Sequence, residues 1–496
     1  MGTITFLLPP DLSPESITEL EHAGMIGGQD NMPFAARIIV EPNQLRVARG
    51  TDESGYVIAP WHVDGAGLLM TATPTVIERP QPYQLQLELA RGKVNQIRSQ
   101  TADWLMGGLQ MPADLNELIR QATRAFGRAV SYLPSMEASE QAQEALTLAY
   151  RAADGLVRTY VSQVFQVRHQ RQPRLDTALT CRLGPVAPPD AITQPLLEAC
   201  NTLCVPFAWN EIEPAEADYH WEGYEAVLEW AQMHSAHVVG GPLIDFSTGR
   251  LPDWLWLWEG DISSLASLMC GHIETVVKRY RDRIRTWHLC SGSNLAGILS
   301  LGEDELLWLT VRLVEAARQV DPQLDLIVGI AQPWGEYMTS RERNHSPFVF
   351  ADTLIRSGLN LAALDLELVM AALPRGSYCR DTLDASRLLD LYALLGVPLQ
   401  VTLGYPSAEE PDEEADSAQS VTGGYWREGF SPEMQANWAD AFVALALCKP
   451  AVRSVQWIHL LDSAPHQFPH CGLVGVDDKV KPILQHMRDL RRKHLR

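Results

Sequence analysis

The chain has 496 residues, 40 of them basic and 61 acidic, for a formal net charge of −21. That balance argues against nucleic acid and anionic membrane surfaces as partners, since both need basic patches. The length is too great for one ordinary domain, and no apolar stretch reaches the roughly 18 residues that span a bilayer.

The opening MGTITFLLPPDLSPES has no basic start, and its apolar run breaks at Pro9-Pro10, so it does not read as a secretory signal. The eight cysteines sit mostly in apolar runs, as Cys270 and Cys448 do. They read as small buried hydrophobes in a reducing compartment, and the expected location is cytoplasmic. Cys200 and Cys204 lack a second pair at zinc spacing, so neither a metal nor a cofactor is expected.

Residues 1–88 carry short runs such as TITFLL, ARIIVEP and YVIAPWHV, separated by Gly, Pro, Asp and Asn. This texture predicts a small β-sandwich-like domain. Tyr56 and Trp61 could present rings to a sugar there, or the domain could simply pack against its neighbour. Residues 89–173 place apolar side chains at helical spacing and predict a helical connector, broken near 107–112.

From 174 to 496, strand and helix patterns alternate. Strands are expected at 176–183, 205–209, 237–244, 285–290, 324–331, 361–368, 398–403 and 452–460. Eight such units predict an α/β fold of the (β/α)8 TIM barrel type, preceded by the sandwich-like domain and the helical segment. A doubly wound sheet is disfavoured because no glycine-rich phosphate loop follows the first strand.

A barrel of this kind carries its function at the C-terminal strand ends. Those ends supply Trp209, Asn210 and Glu211, then Asp245, then Gln332 and Trp334, then Tyr405, and finally Trp457 and Asp462. Aromatic faces among acids and amides suit a sugar, whose C–H face stacks on rings while fixed polar groups read its hydroxyls. An oligosaccharide or polysaccharide is therefore the expected ligand.

The same segments resemble family 10 glycoside hydrolases, the endo-β-1,4-xylanase family. FAWNEIEPAEADYHWEG is similar to the family's second strand, with Trp209, Glu213-Pro214, Tyr219 and Trp221 in place. Pro252 and Trp254 resemble its Pro-x-Trp turn, IETVVKRYRDRIRTWHLC its fourth strand, and VQWIHLLDSAP with GLVGVDDKVKPIL its closing strand and helix. The resemblance implies the barrel and a sugar-shaped cleft. It also implies a change of chemistry. Ser291-Gly292 stand where the family has Asn and its acid/base Glu, and Leu403 stands at the nucleophile position. The sugar-binding positions read Cys204, Val205, Ala208, Gly241 and Phe246.

Glycoside hydrolysis needs two carboxyl groups flanking the scissile bond. The candidates for a displaced pair are Glu336 and Glu367. Trp334 and Tyr337 flank Glu336, and desolvation by those rings would raise its pKa as an acid catalyst requires. In LDLEL, alternation puts Asp365 and Glu367 on the face opposite Leu364, Leu366 and Leu368, so the acids are expected to point into the barrel. Glu367 could instead pair with Arg182, Glu336 could face water, and His459 and Asp462 could be a satisfied pair. The other reading is a barrel that binds sugar without cleaving it.

Overall fold

The computed structural model describes every residue except 1, 28–31, 134, 248, 341–342, 374 and 417–419. Part of the acidic run 408–420 thus lies outside the described residues. Eight aliphatic-rich segments form parallel strands, numbered here within the barrel. They are β1 (Ala178–Arg182), β2 (Thr202–Val205), β3 (His237–Gly240), β4 (Thr286–Ser291), β5 (Asp325–Ala331), β6 (Ala363–Val369), β7 (Leu399–Gly404) and β8 (Val452–Trp457). Each pairs with the next, and β8 pairs with β1, so the sheet closes. This is a closed (β/α)8 TIM barrel.

The alternation in β6 holds. Leu364, Leu366 and Leu368 are buried outward, whereas Asp365 accepts the Thr402 hydroxyl of β7 at 2.9 and 2.7 Å on its two oxygens. His288 of β4 brings Nδ1 to 3.7 Å from Asp365. Gly329 makes room for that imidazole, since a Cβ there would lie 2.7 Å from His288 Nε2. The barrel axis is therefore polar at mid-height.

Two strands differ from expectation: the run expected at 237–244 breaks after Gly240 and resumes at Ile244–Asp245. β2 ends at Val205 rather than beginning there, and the positive φ of Phe207 (49°) turns the chain into a short helix, Trp209–Ile212. Trp209, Asn210 and Glu211 consequently sit above the strand tip rather than on it.

Ahead of the barrel lie two sheets. One has four strands, with Gly2–Leu7 between Gln44–Arg49 and Tyr83–Gln84. The other has five, and its edge strand, Tyr425–Trp426, comes from the barrel loop after β7. Gly67, at φ +108°, permits that pairing, because a Cβ there would meet Tyr425 O at 2.3 Å. Three helices follow: α1 (Leu85–Met106), α2 (Ala113–Ser131) and α3 (Met136–Arg171). Lys93 of α1 is buried and sets its ammonium 2.6 Å from Asp381 in the barrel loop after β6. Met70 N–H donates to Cys379 O at 2.9 Å, and Tyr378 OH donates to Glu19 at 2.8 Å. Among the described residues no helix is long and apolar enough to cross a membrane.

Candidate functional site

These contacts divide the barrel mouth. The loops after β5, β6 and β7 lie beneath the N-terminal sheets and helices. The loops after β1, β2, β3 and β8 surround a cleft with a cavity volume of about 90 Å³. A second hollow, lined by Ala178, Thr202 and Thr286, lies at the N-terminal strand ends. Residues at that face of a barrel serve stability, so the upper cleft is the candidate site.

In the covered half the expected site residues are packed inside the protein. Glu336 is 2 % exposed and ion-paired with Arg380, and it accepts the Gly376 and Tyr378 N–H groups at 3.3 and 3.4 Å. Its partner is a guanidinium rather than the expected aromatic rings, and its oxygens are engaged inside the protein. Trp334 lies under the Arg380 guanidinium, 5.0 Å away. A Cβ on Gly376 would strike Gln332 Oε1, so that amide is packed against the same loop. Tyr405 is fully buried, donates to Gly429 O at 2.9 Å and stacks on Trp438. Trp457 is buried too, with its indole N–H on Cys471 O at 2.6 Å. These five residues hold the structure together and do not reach the cleft. Trp61 and Trp426, each 5 % exposed, present no free ring face either.

The open half gathers other groups. Trp209 lines the cleft, stacks on His272 at 4.4 Å and donates its indole N–H to Glu213 at 2.7 Å. Glu213 also accepts Ala217 N–H, so it braces this loop. Glu211 accepts the Tyr224 hydroxyl at 2.6 Å, and Asn210 donates to Gly249 O at 3.3 Å. Asp245 accepts Ser247 N–H at 2.9 Å and keeps partial exposure.

Glu367, also partly exposed, projects from β6 inside the barrel. Burial first, and then the negative charge of Asp245, push its carboxyl up to about 8 against the opposing pull of Arg182. It therefore holds its proton near neutral pH.

Asp462 stands behind the cleft wall. Burial alone would push its carboxyl up, but the His459 hydrogen bond and the Lys481 ammonium outweigh burial and hold it well below the usual range. Burial pushes His459 down to about 4, so its ring is neutral. His459, Asp462 and His466 lie close enough to share a cation. However, Lys481 already occupies one Asp462 oxygen, and Asp412 takes His466 Nε2 at 3.1 Å. Both contacts compete with a metal there.

The profile of glycosyl hydrolase family 10 matches residues 199–290, which run from the end of the first barrel helix to β4. Residues 199–290 thus resemble that family. Endo-1,4-beta-xylanase A of Halalkalibacterium halodurans is 26 % identical over 93 residues, covering 16 % of this chain and 23 % of that protein. Endo-1,4-beta-xylanase B of Thermotoga neapolitana is 30 % identical over 79 residues, covering 16 % and 22 %. The chain thus spans less than a quarter of the length of these curated relatives. Native xylanase 10B of Thermotoga maritima superposes with a TM-score of 0.46 and 15 % identity, over 67 % of this chain and 97 % of that one.

Sequence reasoning did not assign Arg250 and His466 to the cleft, it placed His459 at the tip of the eighth strand with a satisfied pair as the alternative, and it read Arg182 as a partner for Glu367. All four line the cleft. His459 carried a usable signal in its position at the end of the eighth strand. Arg182 carried the same signal at the end of the first strand, whereas Arg250 carried none, because a lone arginine in a loop has no characteristic spacing.

Proposed function

We propose that this protein is a glycosidase acting on O-glycosidic bonds of an oligosaccharide or polysaccharide. Glu367 is its general acid and Asp245 the partner carboxylate. The observation that carries this reading is the pairing of two partly exposed acids inside the barrel, Glu367 and Asp245, close enough that the Asp245 charge helps burial push the Glu367 carboxyl up to about 8. Two carboxyls with different environments are what acid-assisted cleavage uses: one donates a proton to the departing oxygen, and the other supports the positive sugar ring. By resemblance, Gly292 and Leu403 at the β4 and β7 tips supply neither group, so the pair is drawn from strands 3 and 6. The xylanase relatives support a carbohydrate ligand. All eight cysteines are free thiols, and seven are buried, which supports a reducing, cytoplasmic setting.

The test is product release from aryl β-xylosides and xylo-oligosaccharides by wild type, Glu367→Gln and Asp245→Asn. Each substitution is expected to remove about 10²–10⁴-fold of the rate with the fold retained. Wild-type turnover in both variants would sink the assignment. A second reading, sugar binding without cleavage, draws on Leu403, which is 1 % exposed and offers no nucleophile. It predicts saturable binding with no product.

A further inference from the structure

The loop after β7 does not stay on its own side of the barrel. Ser407 N–H donates to His470 O at 3.0 Å. Asp412, 2 % exposed, accepts His470 N–H at 2.8 Å and meets His466 Nε2 at 3.1 Å. Ala415 then bridges to His466, with Asp416 N–H on His466 O and His466 N–H on Glu414 O, both at 3.0 Å. These contacts lay residues 407–416 along the loop after β8.

The far end of this segment reaches the loop after β3. Asp416 Oδ2 stands 3.5 Å from Arg250 Nε, in a pair whose side chains are 17 % and 18 % exposed. A Cβ on Gly249 would lie 3.2 Å from Asp416 Oδ1. Burial pushes the Asp416 carboxyl up, Arg250 opposes it, and the charge of Asp245 at the β3 side adds to the rise. The end of the segment is thus within electrostatic reach of a cleft acid.

Strands β3 and β7 stand four places apart in a closed ring of eight, which puts them on opposite sides of the mouth. A segment that starts at β7 and ties to the loop after β3 is therefore a strap from one side of the mouth to the other. The rim above β5–β7 already lies beneath the N-terminal sheets and helices. The space left is small: the cavity of about 90 Å³ is well below the roughly 300–1,000 Å³ of sites that enclose a whole drug-sized ligand.

A polysaccharide cut in its interior must enter and leave the site, so it needs a trough open at two ends. Here one side of the mouth is packed and the other is strapped. We infer that the 407–416 strap makes this cleft a pocket for the end of a carbohydrate chain, so that the protein removes terminal units and does not cut within the chain. The bond chemistry is ordinary hydrolysis: the glycosidic C–O bond breaks, water supplies a hydroxyl to the sugar carbon, and a proton goes to the departing oxygen. This inference rests on the glycosidase reading above and specifies its substrate as chain ends.

The test uses the full chain with two probes, xylohexaose labelled at its reducing end and soluble xylan. The first products of xylohexaose are expected to come from one terminus, and xylan viscosity is expected to hold while reducing ends accumulate. Asp416→Lys and Arg250→Glu each set like charges across the strap's far contact. Both are expected to shift the products toward internal cuts and to make xylan viscosity fall early. The double variant restores opposite charges in reverse order and is expected to return the terminal pattern, which loss of an Arg250 contact to sugar would not do. Central cuts by the wild type overturn the inference and leave the glycosidase reading standing. An unchanged product pattern in both single variants does the same. If xylohexaose binds in calorimetry without being cut, the stoichiometry on xylan decides: one protein per chain supports the pocket, and several per chain overturn it. Neither product nor binding overturns the inference and the carbohydrate reading together.

Discussion

Above β5–β7, Glu336 meets Arg380 and two backbone N–H groups, and Tyr405 and Trp457 bury their rings with both polar atoms satisfied. Above β1–β3 and β8, Trp209, Glu211, Asp245, Arg182 and His459 line a cleft. Both halves are rich in the same residue types. The difference lies in what covers them. Where the N-terminal sheets and helices dock, ion pairs and packed rings fill the space above the strands. Where nothing docks, acids, a tryptophan and arginines line a concave surface that a ligand can enter. A carboxylate, an amide and a tryptophan at a barrel rim thus do not mark a site by themselves. An open cleft around them does.

This contrast can be broken most sharply in the covered half. Arg380→Met strands the buried Glu336 carboxylate and should cost about 3–5 kcal/mol of stability, as should Lys93→Met beside Asp381. Chemical denaturation checks both, and activity per folded molecule should stay unchanged. Loss of activity out of proportion to unfolding would tie the two halves together.

Inside the barrel, the Glu367 carboxyl stands at about 8 in the folded state against its ordinary 4.5. The native state then holds a proton that the unfolded chain has released, so stability falls as pH rises from about 4.5 to about 8. Glu367→Gln should remove that loss and gain on the order of 2–3 kcal/mol at pH 9, read from denaturation midpoints across pH.

His459 carries the opposite sign. Its value drops from 6.5 to about 4, so stability is lost as pH falls through that window. His459→Leu should flatten the acid limb by about 1–2 kcal/mol in the same titration. The smallest effect belongs to neither half. Lys278→Ala removes an exposed pair with Glu274 and should shift stability by less than about 0.5 kcal/mol.

Much of the barrel could be read from local pattern. Strands expected at 324–331 and 398–403 are found at Asp325–Ala331 and Leu399–Gly404, because a buried parallel strand is a nearly continuous apolar run. The inward acids of LDLEL followed from a period of two. The division of the mouth could not be read this way. It depends on pairings between distant segments, such as Lys93 with Asp381 and Tyr425–Trp426 with Gly67–Leu68, and no local spacing announces them. Glu336 looked like an acid catalyst because its neighbours in sequence are aromatic. Its true partner stands 44 residues away. Asp245 and Glu211 both line the cleft, although Glu211 reaches it from a short helix above the strand tip. Their neighbour Arg250 was visible only once the chain had folded.

The strand that Tyr425–Trp426 lends to the N-terminal sheet also sets a schedule. Gly67–Ala72 leaves the ribosome early and waits for its partner until nearly all of the barrel has been made. At about 5–20 residues per second, that wait is roughly 20–70 s. Throughout it, a hydrogen-bonding edge stands open on the nascent chain, which is the geometry that invites pairing with another chain.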